Sequence, residues 1–253
     1  MPDTYFCEIT ERAQLTDSIF SITIECPELA VSARAGQFLH IKCGETVFLR
    51  RPISICSVKG GTLRFVYEVK GEGTRWLSMR SIGEALDILG PLGNGYTLPE
   101  GKTIIVGGGI GVPPLLFAAE SAGGDVTAVL GFREKSLVIL QNEFESVCNE
   151  VHVATDDGSS GVYGNAAMVL EGLLEKGKCE YVLACGRLAM LAAVASICER
   201  YNVPCQVSME ERMGCGVGAC MVCSCPTVID GAESMSRVCR DGPVFDARTI
   251  RFD

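Results

Sequence analysis

Residues 103–122 read TIIVGGGIGVPPLLFAAESA. The stretch opens as a short apolar strand, passes through Gly107, Gly108, Gly109 and Gly111, and continues as a helical run. A strand, a glycine loop and a helix in that order predict a nucleotide-binding α/β unit, in which N–H groups at the helix start hold a pyrophosphate. The same glycines would also serve a tight strand-to-helix turn that binds nothing. Pro113 and Pro114 suit a first helical turn, where missing N–H groups cost least.

Further apolar strands follow in VTAVLGFREKS (126–136), VHVATDDGS (151–159) and EYVLACGRLAML (180–191), beside the helical stretches NAAMVLEGLL (165–174) and AMLAAVASICERY (189–201). Buried strands alternating with helices predict a doubly wound parallel sheet. The chain before it is different in texture. YFCEIT (5–10), IFSITIECP (19–27), GQFLHIKC (36–43) and PISICSVKGGTLRFVYEV (52–69) are short strand patterns separated by turn residues, as in an antiparallel β-barrel. One helical interruption is expected, GTRWLSMRSI (73–82), with Thr74 as its N-cap. The turn-rich PLGNGYTLPEGK (91–102) marks a boundary, and glycine and cysteine dominate after Gln206 with little regular structure expected. The fold class is therefore α/β plus β: a barrel over 1–97, an α/β domain over 98–205 and a small module over 206–253.

With 253 residues, 47% of them hydrophobic, the chain has ample material for buried cores. A net charge of −9 and the lack of a basic patch argue against a nucleic-acid partner. No apolar run of membrane-spanning length and no signal-peptide pattern is present, so no membrane partner and a cytoplasmic location are expected. In that compartment the fourteen cysteines are not a disulfide framework. Most sit singly in apolar runs, where cysteine acts as a small hydrophobe.

The C-terminal cysteines are the exception. Cys215, Cys220 and Cys223 have the spacing C-x4-C-x2-C, and Cys239 follows at a distance, which is the plant-type iron–sulfur pattern. Gly214, Gly216, Gly218 and Ala219 leave the backbone able to wrap a cluster and point N–H groups at its sulfurs. A zinc or structural reading would draw in Cys225, but leaves Cys239 unused and lacks paired C-x2-4-C units. Cys225 is then the spare thiol.

RRPISI (50–55) places arginines, a proline and a hydroxyl on one strand, suited to phosphate and to ring polar atoms, or equally to a solvated edge strand. KGEGTRWLS (70–78) adds Gly71, Gly73 and Thr74 at a helix start, a second candidate anion site. Two such sites in two domains predict two nucleotide cofactors facing each other. Asp156–Gly164 is either a polar turn or part of a nucleotide cleft, and Cys185 and Gly186 lie at another strand end of the same sheet. His40 and His152, each isolated on a strand, are expected to be satisfied structural residues. No catalytic triad or carboxylate pair stands out, as an electron carrier would have it.

In order along the chain, LRRPISI, GEGTRWLS, LGPLGNGY, GGGIGVPPL, LGFREKS, ATDDGSSGVYG, ACGRLAML and ERMGCGVGACMVC with its distant cysteine resemble the ferredoxin-reductase-like flavoproteins. Within them the similarity is greatest to the electron-transfer subunits of class 1B dihydroorotate dehydrogenases. The resemblance implies FAD held by Arg51, Pro52, Ile53 and Ser54, with Glu68, Val69 and Lys70 at the ring edge and Gly73 and Thr74 at the pyrophosphate. It implies NAD bound by Gly107, Gly108, Gly109, Gly111, Cys185 and Gly186, and a [2Fe–2S] cluster on Cys215, Cys220, Cys223 and Cys239. No residue of the chain is expected to be catalytic in its own right. Ile53 stands where distant ferredoxin reductases carry an aromatic, and Arg187 where relatives show proline after Cys-Gly.

The implied partner is an FMN-containing catalytic subunit that oxidises dihydroorotate to orotate in pyrimidine biosynthesis, in a heterotetramer of two of each. Electrons would run from FMN through [2Fe–2S] and FAD to NAD+. A rival resemblance is to the small subunit of an NADH-dependent ferredoxin:NADP oxidoreductase or a sulfide dehydrogenase, relatives that tend to replace one cluster cysteine with Asp. Arg133, Lys135 and Ser136 are placed to hold a 2′-phosphate, which leaves NADPH open beside NADH.

Overall fold

The computed structural model describes residues 3–177 and 179–252. Six strands close into an antiparallel barrel: β1 (Asp3–Gln14), β2 (Ile19–Glu25), β3 (Phe38–Ile41), β4 (Arg51–Lys59), β5 (Thr62–Glu68) and β6 (Ala85–Leu92), in the order β1-β2-β5-β4-β3-β6. Their alternating apolar residues, among them Ile9, Ile22, Leu39, Ile41, Ile55, Phe65, Leu86 and Ile88, form one buried core. Register shifts at Ile9/Glu11, Phe38/His40 and Ile55/Ser57 are the local bends that let a twisted sheet close on itself.

Two helices, not one, interrupt the barrel. The first, α1 (Pro27–Ser32), has Pro27 in its first turn, the position proline tolerates best and the signal for this short helix. The second, α2 (Glu72–Ser78), has Gly71 as N-cap. Thr74 therefore lies within the first turn rather than at the cap. Its Oγ1 reaches back to accept the N–H groups of Lys70 at 2.9 Å and Gly71 at 3.2 Å.

The second half contains β7 (Thr103–Gly108), α3 (Val112–Ser121), β8 (Val126–Phe132), α4 (Gln141–Val147), β9 (Glu150–Thr155), β10 (Val162–Tyr163), α5 (Ala166–Leu174), β11 (Tyr181–Cys185), α6 (Leu188–Arg200) and β12 (Cys205–Ser208). These strands form a parallel sheet with the order β10-β9-β8-β7-β11-β12. Helix α5 is capped by Asn165, whose Oδ1 accepts the Met168 N–H at 3.1 Å. Helix α3 packs on β4 of the barrel as well as on β7 and β11, so the two halves share one buried layer.

Beyond β12 the chain is more regular than its composition implies. β13 (Ser224–Ile229) and β14 (Ala232–Arg237) form an antiparallel hairpin turning at Asp230 and Gly231, with φ of 51° and 80°. An Asp-Gly pair between strands is a strong hairpin signal. β15 (Val244–Asp246) then pairs antiparallel with β12 as the seventh strand of the large sheet. β12 itself runs across the expected 205/206 boundary, so the C-terminal segment completes the neighbouring domain. Among the described residues no helix is long and apolar enough to cross a membrane.

Candidate cofactor sites

Arg51 opens β4, and its guanidinium lies over the start of α2: a Cβ at Gly73 would fall 2.7 Å from Arg51 Nε. Glycine at 73 thus lets a strand-borne cation approach a helix start, next to the Thr74 hydroxyl. Lys70 at this turn pairs with Glu68 at 3.3 Å, and the Val69 N–H donates to the Ser18 carbonyl at 2.8 Å. Arg51, Glu68, Lys70, Gly73 and Thr74 therefore share one end of the barrel. Ser54 is partly exposed across from Phe38. Ile53 is 6% exposed and belongs to the barrel core, so this position offers a flavin chiefly its backbone, and an aromatic stacking surface is missing there.

Arg50 has a different task from Arg51. It donates to the carbonyls of His40 and Asp87 at 3.2 and 3.0 Å and pairs with the Asp87 carboxylate at 2.7 Å. That ties β4 to β3 and β6, and it is the half of the arginine doublet that belongs to the scaffold.

The glycine loop after β7 meets the end of β11. A Cβ at Gly111 would come within 2.4 Å of the Cys185 carbonyl oxygen and 2.7 Å of the Gly186 nitrogen, so two strand ends distant in sequence approach backbone to backbone. Gly107 is closed in by Val112, with its Cα 3.0 Å from the position of a Cβ. Gly109, at φ +54°, has nothing within 4 Å of that position and is the open glycine of the loop. Pro113 and Pro114 lie in the first turn of α3 and remove two of its N–H groups. A pyrophosphate held here would take its donors from the loop more than from the helix start.

Beside Gly186 a cleft of about 210 Å³ is lined by Arg187, Leu188, Leu191, Met209 and Glu210. Burial pushes the Cys185 thiol up to about 12, against a hydrogen bond with Ser208, so it stays neutral at this cleft. The turns after β8 and β9 also adjoin: the Asp157 N–H donates to the Arg133 carbonyl at 3.2 Å, and the Lys135 N–H to Ser159 Oγ at 2.8 Å. Arg133 and Lys135 share their turn with Glu134, which accepts a short hydrogen bond from Ser136.

The cysteine loop wraps its own sulfurs. Cys215 Sγ accepts the N–H groups of Val217, Ala219 and Cys220 at 3.5, 3.2 and 3.4 Å, and Cys239 Sγ accepts that of Gly218 at 3.1 Å. Positive φ at Gly216, Gly218 and Met221, 72°, 81° and 61°, gives the loop its curl. Burial raises the Cys215 thiol, but the N–H groups of Val217 and Cys220, the Cys220 side chain and the Ala219 N–H outweigh it and bring it down to about 6. Cys239 goes the other way, to about 12, through burial and the neighbouring Cys223.

Cys215 Sγ thus accepts the N–H of Cys220, and Cys223 Sγ accepts that of Cys239, each at 3.4 Å, so the four residues meet two by two. Among the described residues no three His, Cys, Asp or Glu side chains gather as a site for one metal ion. Cys225 is buried on β13 in the core shared with α5 and α6, its thiol pushed up to about 11 by burial and by Glu211. All fourteen cysteines are outside disulfides.

Three residues important to this arrangement have roles that residue type and spacing do not announce. Arg237 donates to the Gly218 carbonyl at 3.1 Å while gripping Asp241 at 2.9 and 3.1 Å. Asn94, just after the barrel, donates from Nδ2 to the carbonyls of Arg240 and Asp241, each at 3.1 Å. His40 is buried against Gly216. Its ring nitrogens have no hydrogen-bond partner among the described residues, which corrects the expectation of a satisfied structural histidine. His152 is paired, with Nε2 3.3 Å from Glu150. A larger cavity of about 580 Å³ lies between the barrel and the cysteine loop, reached by Tyr5, Pro91, Asn94, Gly216, Cys239 and Arg240.

Residues 210–251 match the family described as the iron–sulfur cluster binding domain of dihydroorotate dehydrogenase B. Over 246 residues the chain is 38% identical to the dihydroorotate dehydrogenase B (NAD(+)) electron transfer subunit of Caldanaerobacter subterraneus subsp. tengcongensis, covering 96% of this chain and 97% of that one. The same-named subunit of Bacillus caldolyticus is 40% identical over 255 residues, with 96% of each chain covered. A solved structure of an NADH-dependent reduced ferredoxin-NADP oxidoreductase superposes with a TM-score of 0.89 at 30% identity, over 100% of this chain and 92% of that chain. A ferredoxin NADP+ reductase from Neisseria gonorrhoeae shares the fold at 16% identity, with a TM-score of 0.63 over 78% of this chain and 91% of that one.

Barrel, parallel nucleotide sheet and cysteine module together define a ferredoxin-reductase-like oxidoreductase subunit that carries its own iron–sulfur centre. The chain belongs to the family of dihydroorotate dehydrogenase B (NAD(+)) electron transfer subunits. Electron transfer with FAD, a [2Fe–2S] cluster and NAD as cofactors comes with that membership.

Proposed function

We propose that this chain passes electrons from an FMN-containing catalytic subunit, which oxidises dihydroorotate to orotate, to NAD+, in a cytoplasmic heterotetramer of two of each subunit. The observation that carries the reading is the meeting of Cys215 with Cys220 and of Cys223 with Cys239 under a roof of backbone N–H groups. A two-iron cluster takes two thiolates on each iron, and N–H donors offset its negative charge. These four are its ligands, and Cys225 stays outside. When bound, the flavin joins hydride exchange at the nicotinamide to one-electron exchange at the cluster.

The chain's own groups bind and orient. Arg51, Gly73 and Thr74 meet the flavin's pyrophosphate, Pro52, Ile53 and Ser54 line it along β4, and Glu68, Val69 and Lys70 border its ring. Gly107, Gly108, Gly109 and Gly111 admit the nucleotide, with Cys185 and Gly186 beneath its nicotinamide. None of these residues needs to act as a general acid or base.

Co-expression with an FMN-bearing subunit should give a complex with dihydroorotate:NAD+ activity. The isolated chain should reduce dyes with NADH and form no orotate. Orotate made by this chain alone would overturn the division of labour. The structural likeness to the ferredoxin-NADP oxidoreductase favours a second reading, a small subunit of such an enzyme. Co-purification of a large iron–sulfur subunit in place of an FMN subunit would select it.

A further inference from the structure

His40 occupies the middle of β3, between Leu39 and Ile41, which fill the barrel core. Its own side chain is on the other face of the strand and is 1% exposed. Through the backbone it pairs with Pro52 of the flavin strand and with Leu89 of β6. Its ring meets the cysteine loop: a Cβ at Gly216 would lie 2.6 Å from His40 Nδ1 and 3.1 Å from Cε1. Gly216, the residue after Cys215, is therefore glycine for its φ of +72° and for the space the imidazole takes.

An imidazole is a poor choice for plain packing at this interface. Both ring nitrogens are unpartnered among the described residues, and leaving a buried polar group unsatisfied is costly. Leucine would fill the space without that cost. An imidazole carries at least one N–H donor in either protonation state.

We propose that the N–H of His40 is directed to a sulfur of the iron–sulfur cluster held by the 215–220 loop, making His40 a positioning residue by which the flavin barrel tunes that centre. The inference rests on Cys215, Cys220, Cys223 and Cys239 being the ligands. The loop already turns the N–H groups of Val217, Gly218, Ala219 and Cys220 toward sulfurs. His40 adds a donor from the opposite domain, contributed by the strand beside the flavin motif. Hydrogen bonds to cluster sulfurs favour the more negative, reduced state and raise the potential.

The test uses the full chain loaded with iron, sulfide and FAD, with its histidines labelled with ¹⁵N. Pulsed EPR of the dithionite-reduced protein should show a histidine ¹⁵N coupling to the cluster that survives His152→Ala. In redox titrations read by EPR, His40→Leu should lower the cluster midpoint, and His40→Gln, which keeps an N–H, should recover part of the shift. A normal reduced-cluster signal without histidine coupling overturns the proposal alone. So does a His40→Leu change confined to the flavin. Absence of any reduced-cluster signal from iron-loaded protein overturns the ligand assignment, and this proposal with it. Should His40→Leu fail to retain iron, the labelled unsubstituted chain decides.

Discussion

The guanidinium of Arg237 holds the carbonyl of Gly218 at 3.1 Å. Because the Gly218 N–H in turn meets Cys239 Sγ at 3.1 Å, the two peptides flanking Gly218 in the cysteine loop are both fixed. Asp241 completes the clamp, and the Arg237 guanidinium beside it holds its carboxyl below the usual range. Arg237→Ala should shorten the lifetime of bound iron under a chelator by about tenfold or more, since a charged hydrogen bond contributes about 1.5–3 kcal/mol. Arg237→Lys should restore little, because an ammonium lacks the planar fork. Unchanged iron loss in both variants would dismiss the clamp.

Cys220→Ser should lose or destabilise the cluster, seen as a fall in iron per chain and in the visible bands of the metal centre, while FAD content and NADH-driven dye reduction largely persist. Cys225→Ala should retain full iron, because its thiol is buried in the core on β13, off the 215–220 loop, and burial pushes it up to about 11. If Cys225→Ala lost the cluster and Cys220→Ser kept it, the ligand set would be wrong.

Arg51→Ala should weaken FAD binding by about 10–100-fold, the scale of one charge-assisted hydrogen bond. Fluorescence titration of the deflavinated chain measures it directly. Retained affinity would place the pyrophosphate elsewhere.

Gly111→Ala introduces a methyl group 2.4 Å from the Cys185 carbonyl oxygen, a backbone contact that cannot yield cheaply. NADH KM in dye reduction should rise about tenfold or more, with the flavin spectrum unaltered. Equal KM values would show that the two strand ends need not touch.

NADH should be preferred over NADPH by at least about tenfold in kcat/KM, a difference of about 1.4 kcal/mol. Glu134, Asp156 and Asp157 lie beside Arg133 and Lys135 at the ends of β8 and β9, and their charge opposes a 2′-phosphate. Comparable rates with NADPH would assign the basic pair to that phosphate.

Much of the fold was legible because its signals are local. TIIVGGG announces strand and loop, and the period-two pattern of β6 survives in its alternating burial. Helix α1 and the β13–β14 hairpin were readable from Pro27 and Asp230-Gly231 but were outweighed by the surrounding composition. Thr74 illustrates a subtler failure: its hydroxyl caps backward from the first turn, a role that residue type alone does not distinguish from an N-cap. The remaining misses depend on contacts distant in sequence. Nothing in GQFLHIKC reveals that His40 will meet Gly216, and nothing in SMSRVCRDG says that Arg237 will reach Gly218.

β15 changes what kind of relay this is. The segment that follows Cys239 returns as the outermost strand of the nucleotide sheet, with Val207 opposite Phe245, while the loop before it leans on the barrel through Gly216. A cysteine module sewn in at both ends has no hinge to swing on. It is built as a fixed wire rather than a tethered shuttle, so a donor has to be held against it, and excised as a soluble ferredoxin it would carry away one raw edge and leave another behind.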